Sequence, residues 1–136
     1  MATRLNPYLS FGGDARAAMT FYRELLGGTL ELHTFGEYGA DDSFADLIMH
    51  GMLETDDGLV LMGTDSPPGM SRTVGNNITI SLSGDDHATL SDRFARLAAG
   101  GSVDVPLGKQ MWGDVFGQLT DRHGIGWLVN IAGAEA

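Results

Sequence analysis

The sequence predicts an α+β chain in which one β-α-β-β-β unit is written twice, and three observations predict it. The first is a repeat. The run Tyr8-Leu9-Ser10-Phe11-Gly12-Gly13-Asp14 leads into an amphipathic stretch closing on Leu25-Leu26-Gly27-Gly28, and Ile80-Ser81-Leu82-Ser83-Gly84-Asp85-Asp86 leads into another closing on Leu97-Ala98-Ala99-Gly100-Gly101. Each copy has a strand, an acidic helix cap, a helix and a Gly-Gly stop, which together make a supersecondary unit. The second observation is alternation in both opening strands, with Leu5, Leu9 and Phe11 on one face of residues 5–11 and Ile78, Ile80 and Leu82 on one face of residues 77–83. The third is the breaker-rich stretch 64–75, carrying Pro67-Pro68-Gly69, which separates the copies. One domain over residues 1–136 is expected, with a first unit at 5–64, a connector at 65–75 and a second unit at 76–132. Two such units imply pseudo-symmetry and make a cleft between or within the halves the first place to look for a ligand.

The elements follow in order. Asp14 is placed to cap a first helix whose Ala18, Tyr22, Leu25 and Leu26 recur at helical spacing. After the Gly27-Gly28 stop, residues 29–35 read as a strand, 37–43 as an acidic mobile loop, and 45–54 as another strand. Asp56-Asp57-Gly58 is a turn into a strand at 59–63, so these last two strands form a hairpin. In the second copy Asp85 or Asp86 caps a helix with Leu90, Phe94 and Leu97 on one face and an Asp92–Arg96 surface pair. Strands follow near 102–106, 114–120 and 125–131, the last two joined by Asp121-Arg122-His123-Gly124.

Composition excludes several functions. A chain of 136 residues can bury a core without staples, and the absence of cysteine removes disulfides, thiolate zinc sites and cysteine nucleophiles. That fits a reducing compartment, and a cytoplasmic protein is expected. A net charge of −10 repels phosphate backbones and anionic membrane surfaces, so no nucleic-acid partner is expected. No apolar run approaches the length of a membrane span, so no membrane partner is expected either.

The candidate site is read from parity. Opposite the apolar residues, the first strand carries Asn6, Tyr8 and Ser10 and the equivalent strand carries Asn77, Thr79 and Ser81. Small uncharged polar groups suit an enclosed, partly wet cavity that binds by hydrogen bonds, whereas a face in bulk water usually carries Lys and Glu. Of the four histidines, His87 and His123 read as solvated, while His33 and His50 lie on strands, where the preferred reading is a strand-face ring with a satisfied hydrogen bond and the alternative is a general base pointing into the cavity. Asp114 beside Trp112 is a second candidate: in a glycine-flanked segment the carboxylate can meet a ligand and the indole can wall it. The alternative reading has Asp114 capping a turn and Trp112 filling core. Trp127, in phase with Val129 and Ile131, reads as core.

The duplicated unit, Phe21-Tyr22 before Leu26-Gly27, and above all Met111-Trp112-Gly113-Asp114-Val115-Phe116-Gly117 with Thr120-Asp121 and Trp127-Leu128-Val129-Asn130, resemble the vicinal oxygen chelate superfamily of glyoxalase I, bleomycin-resistance proteins and extradiol dioxygenases. Within it they look like the PhnB-like branch. The resemblance implies a glyoxalase/bleomycin-resistance-like fold whose curled sheets form a cup, usually completed by dimerisation, with a small molecule or divalent metal inside. It puts the family's four metal-ligand positions on Asn6, Met62, Asn77 and Leu128, which lack hard donors, so no metal or other cofactor is expected. Met49, Met52, Met62 and Met111 are candidate adaptable apolar walls. Three functions are open: a homodimeric small-molecule binder acting in sequestration or resistance; an enzyme, either a metal-dependent lyase, isomerase or dioxygenase or a metal-free catalyst using His50 or Asp114; and a ligand-free interaction module.

Overall fold

A computed structural model describes residues 3–40 and 43–133 of the chain. The chain divides into two compact units, residues 1–73 and 74–136. The first unit contains β1 (Tyr8–Phe11), α1 (Ala15–Leu26), β2 (Thr29–Thr34), β3 (Ile48–Glu54) and β4 (Val60–Asp65), with a 3₁₀ turn at Gly36–Tyr38 after β2. Its sheet runs β1-β4-β3-β2, with β1 parallel to β4 and the other pairs antiparallel. The second unit repeats the plan with β5 (Ile80–Gly84), α2 (His87–Ala98), β6 (Ser102–Lys109), β7 (Val115–Thr120) and β8 (Gly126–Ile131), in the order β5-β8-β7-β6. Asp41 and Asp42, in the loop read at 37–43, lie outside the described residues. Among the described residues no helix is long and apolar enough to cross a membrane.

Each helix covers one face of its own sheet. Ala15, Ala18, Met19, Tyr22, Leu25 and Leu26 of α1 are buried, at the three- and four-residue spacing of an amphipathic helix, over Phe11, Ile48, Leu53 and Leu61. Helix and sheet approach closely because Gly63 stands under Met19: a Cβ there would lie 2.8 Å from the Met19 sulfur. In the second unit Leu90, Phe94 and Leu97 of α2 pack over Leu82, Leu119, Trp127, Val129 and Ile131. The Trp127 indole N–H donates to Asp121 Oδ2 at 2.8 Å, while Asp121 Oδ1 accepts from the His123 and Ile125 amides, so the carboxylate ties the β7–β8 turn to the core. The exposed Asp92–Arg96 pair forms at 3.7 Å.

The Gly-Gly stops have a shared cause. A Cβ on Gly28 would strike the Glu54 carbonyl oxygen, and one on Gly101 would strike that of Thr120, so each chain leaves its helix pressed against the hairpin end of its own sheet.

Three expectations are corrected. Asp14 occupies the N-cap of α1 but its side chain makes no cap hydrogen bond. That work is done by Asp65, 2% exposed at the end of β4: its Oδ1 accepts from the Gly13 and Ala15 amides at 2.9 Å each, and its Oδ2 from the Ile48 amide at 2.9 Å. The unpaired amides of a helix's first turn need an acceptor, and a carboxylate on the strand below supplies it. In α2 the local cap does operate, from Asp86, which accepts from the Thr89 amide at 3.1 Å. The opening strands are also shorter than alternation suggests. Leu5 is 100% and Ile78 82% exposed, because pairing begins only at Tyr8 with Met62 and at Ile80 with Trp127. Before β1, Pro7 accepts from the Met62 amide but has no amide of its own to extend the ladder. Finally, β3 begins at Ile48 rather than 45, and its second residue, Met49, is a bulge opposite the His33–Thr34 step of β2.

Candidate functional site

The register sorts side chains into two sets, one under each helix and one on the sheet face opposite it. On the open face of the first unit one cross-strand row is Tyr8, Met62, Met52 and Glu31. A neighbouring row has Ser10 beside Thr64 and His50 beside His33. On the second unit the middle row is Ser81, Leu128, Gln118 and Val105, flanked by Ser83, Asn130, Phe116 and Gly108 on one side and by Gly126, Thr120 and Ser102 on the other. Tyr8, Ser10, Met62, Ser81 and Leu128 thus share open faces within their own units. Thr79 precedes β5 and lies against Gly126, where a Cβ would be 3.6 Å from its hydroxyl oxygen. Asn6 lies outside β1, its amide nitrogen donating to the Pro7 carbonyl at 3.1 Å, and Asn77 is exposed in the bend before β5.

The segment between β6 and β7 is a turn. Gln110 N–H donates to Asp114 O at 2.8 Å and Gly113 N–H to Gln110 O at 2.9 Å, closing the hairpin. Asp114 Oδ2 accepts from the Asn130 amide at 2.9 Å and Oδ1 from the Gly133 backbone at 2.8 Å. The Asn130 bond, then the Gly133 bond, and to a smaller degree Trp112, hold this carboxyl below its ordinary range. Asp114 therefore fastens the chain leaving β8 to the turn. Trp112 is 60% exposed and meets Phe116 edge-on, ring centres 6.2 Å apart, so it extends the open face and is not core.

Sequence reasoning passed over the partner of His33. Thr34-Phe35-Gly36-Glu37 forms a capping box: Glu37 Oε2 accepts from the Thr34 amide at 2.8 Å while the Glu37 amide donates to the Thr34 hydroxyl at 3.2 Å. The same carboxylate holds His33 Nδ1 at 3.2 Å, with Glu31 3.7 Å from Nε2. The Glu37 hydrogen bond raises the His33 pKa against a smaller opposing effect of burial. The T-x-x-E spacing was the available signal. Because the folded pKa lies above the unfolded one, the pair contributes stability that is present below the unfolded value and is lost as pH rises through the folded value. Glu37→Gln is expected to lower the His33 titration midpoint, followed by its imidazole NMR resonances; an unchanged midpoint would refute the pairing.

A cleft of about 690 Å³ opens in the second unit. Val74 and Ile78 supply apolar lining and Thr79, Asp104, Gln118 and Thr120 polar lining. Of the candidates read from sequence it gathers Thr79 alone; Asp104 and Gln118 were not singled out.

The donors do not fit a divalent metal. Met62 offers a thioether and Leu128 nothing, and the residues across from them, Tyr8 and Ser81, carry neutral hydroxyls. Among the described residues no group of three or more His, Cys, Asp or Glu side chains is placed to hold a metal ion.

The family described as the Glyoxalase/Bleomycin resistance protein/Dioxygenase superfamily matches residues 4–129. Protein YjdN of Escherichia coli (strain K12) is 29% identical over 140 residues, covering 93% of this chain and 94% of its own. The crystal structure of protein PA1353 from Pseudomonas aeruginosa is 37% identical with a TM-score of 0.89, covering 98% of this chain and 100% of its own. A PhnB protein from Bacillus cereus is 23% identical with a TM-score of 0.79, covering 96% and 100%, a likeness of fold.

Proposed function

Because the chain belongs to the glyoxalase/bleomycin resistance protein/dioxygenase superfamily, we propose that it is a metal-free small-molecule-binding protein, acting as a cytoplasmic homodimer in sequestration or resistance. The observation that carries this reading is the make-up of the open faces. Tyr8, Ser10, Thr64, Ser81, Ser83, Gln118 and Asn130 offer neutral hydrogen-bonding groups, and Met52, Met62, Leu128 and Phe116 offer apolar contact between them. Such mixed surfaces suit ligands held by a few polar groups against an apolar wall. Exposed edges at β2 and β6 support pairing with a second copy.

The test is a thermal-shift screen of a small-molecule library, repeated on Trp112→Ala. A ligand for the folded state raises its melting temperature. Since Trp112 is largely exposed, its removal is expected to change ligand-free stability by less than about 1 kcal/mol while weakening binding by about 1–3 kcal/mol. A library without a single stabilising compound, or stoichiometric nickel, zinc or iron retained through tag-free purification, would overturn the reading. One observation favours catalysis as a second reading: His33 is oriented by Glu37 and stands beside His50. A metal-free proton-transfer activity would disappear in His33→Gln with ligand binding retained.

A further inference from the structure

The lining of the second-unit cleft specifies the charge of what it takes. Val103 stands opposite Leu119 and Val105 opposite Gln118, so β6 uses two residues where β7 uses one, and Asp104 is the extra residue. A bulge of this kind re-aims a side chain out of the strand's alternation. Val105 is the side chain so shifted, while Asp104 stays on the face of Ser102, which stands opposite Thr120, and the Thr120 hydroxyl donates to Asp104 Oδ2 at 3.0 Å. Oδ1 remains for a donor from a ligand, with the Thr79 hydroxyl and the Gln118 amide on the same lining. Asp104 is the one charged residue among those that line the cleft, and no Lys or Arg is among them.

The basic residues are placed elsewhere. Arg4 precedes β1, Arg16 and Arg23 lie on α1, Arg72 donates to the Ser10 carbonyl at 3.4 Å, Arg93 and Arg96 lie on α2, and the Arg122 guanidinium donates twice to the Ala99 carbonyl at the end of α2. Lys109, the one basic residue on a strand, stands opposite Val115 at the far end of β6 from Asp104. A lone carboxylate in a cleft without cations repels an anion and makes a charge-assisted hydrogen bond to an ammonium group. Ile78, 82% exposed, and Val74, 64% exposed, are apolar side chains that a ligand would cover. The volume falls within the range of about 300–1,000 Å³ that holds drug-sized molecules.

We infer that this cleft binds an amphiphilic organic cation, a primary or secondary amine whose ammonium group meets Asp104 while its apolar body lies against Val74 and Ile78. The inference rests on the small-molecule-binding reading and assigns one ligand class to this cleft, whose lining does not include Trp112. The experiment titrates the full chain with phenethylammonium, 2-phenylethanol and phenylacetate, which share an apolar body and differ in charge, and follows Kd by NMR. The ammonium compound is expected to bind about tenfold more tightly than the alcohol, and the carboxylate more weakly than either. Asp104→Asn keeps an acceptor for Thr120 and is expected to abolish the preference for the cation while changing the alcohol's Kd by less than about twofold. Asp92→Asn, which removes the same charge from the exposed face of α2, is expected to leave the preference intact. Equal binding of cation and anion, a preference that survives Asp104→Asn, or one lost equally in Asp92→Asn would overturn the inference while leaving a small-molecule binder. If none of the three binds, the inference falls, and the library screen decides separately whether the protein binds small molecules.

Discussion

Replacing Asp65 with alanine is expected to lower the unfolding free energy by about 3–5 kcal/mol, read from urea unfolding of the purified chain. The carboxylate is almost wholly buried and satisfies the amides of Gly13, just before α1, of Ala15, its first residue, and of Ile48, at the start of β3. Alanine leaves these donors facing one another with no acceptor, and each buried donor without a partner costs about 1–3 kcal/mol. Asp65→Asn is the sharper probe, since an amide has one acceptor oxygen and sets an N–H₂ against at least one backbone N–H. It is expected to recover less than half of the loss. Alanine costing under about 1 kcal/mol would show that water replaces the carboxylate and that the helix start does not depend on β4.

The second large effect is expected at Trp127. Its side chain is 1% exposed beneath α2 and its indole N–H is bound to Asp121. Trp127→Ala is expected to destabilise by about 3–5 kcal/mol from lost burial and the residual cavity, with a matching fall in melting temperature. Trp127→Phe separates the contributions: most of the apolar contact stays while the hydrogen bond to the carboxylate goes, a change of about 1.5–3 kcal/mol. If Trp127→Phe proved as stable as the parent, Asp121 would owe its place to the His123 and Ile125 amides rather than to the indole.

The contrast between Asp65 and Asp86 shows what kind of information a sequence carries. Asp86 lies three residues before the amide it caps, and local spacing is enough to find it. Asp65 is separated by 50 residues from Ala15, and nothing near either residue announces their meeting. The same divide runs through the site. Alternation places Tyr8, Ser10 and Ser81 on the faces their ladders give them, because a half-buried strand keeps a period of two. It misplaces Leu5 and Ile78, since period two says nothing about where a neighbouring strand ends. Asp104 is harder still: alternation sets it on the face of Ser102, and only the pairing with β7 shows that this face meets Thr120. The Thr34–Glu37 box, by contrast, was legible in its spacing and hidden by reading residues 37–43 as loop.

The parallel pairing of first and last strands has a consequence for how the chain matures on the ribosome. In each unit the opening strand finds its sheet partner only when the closing strand has been made: β1 waits for β4, and β5 for β8. In the first unit the amides at the start of α1 wait as well, for Asp65 is the last residue of β4. A nascent chain that stops short of Val60 therefore holds a helix without its cap and a strand without a ladder. Emergence of a few more residues supplies both together. Long-range closure of this kind is slow and leaves strand edges open to wrong partners in the meantime. Synthesis thus imposes an order in which the half carrying Tyr8 and Met62 has all of its strands before β5 has left the ribosome.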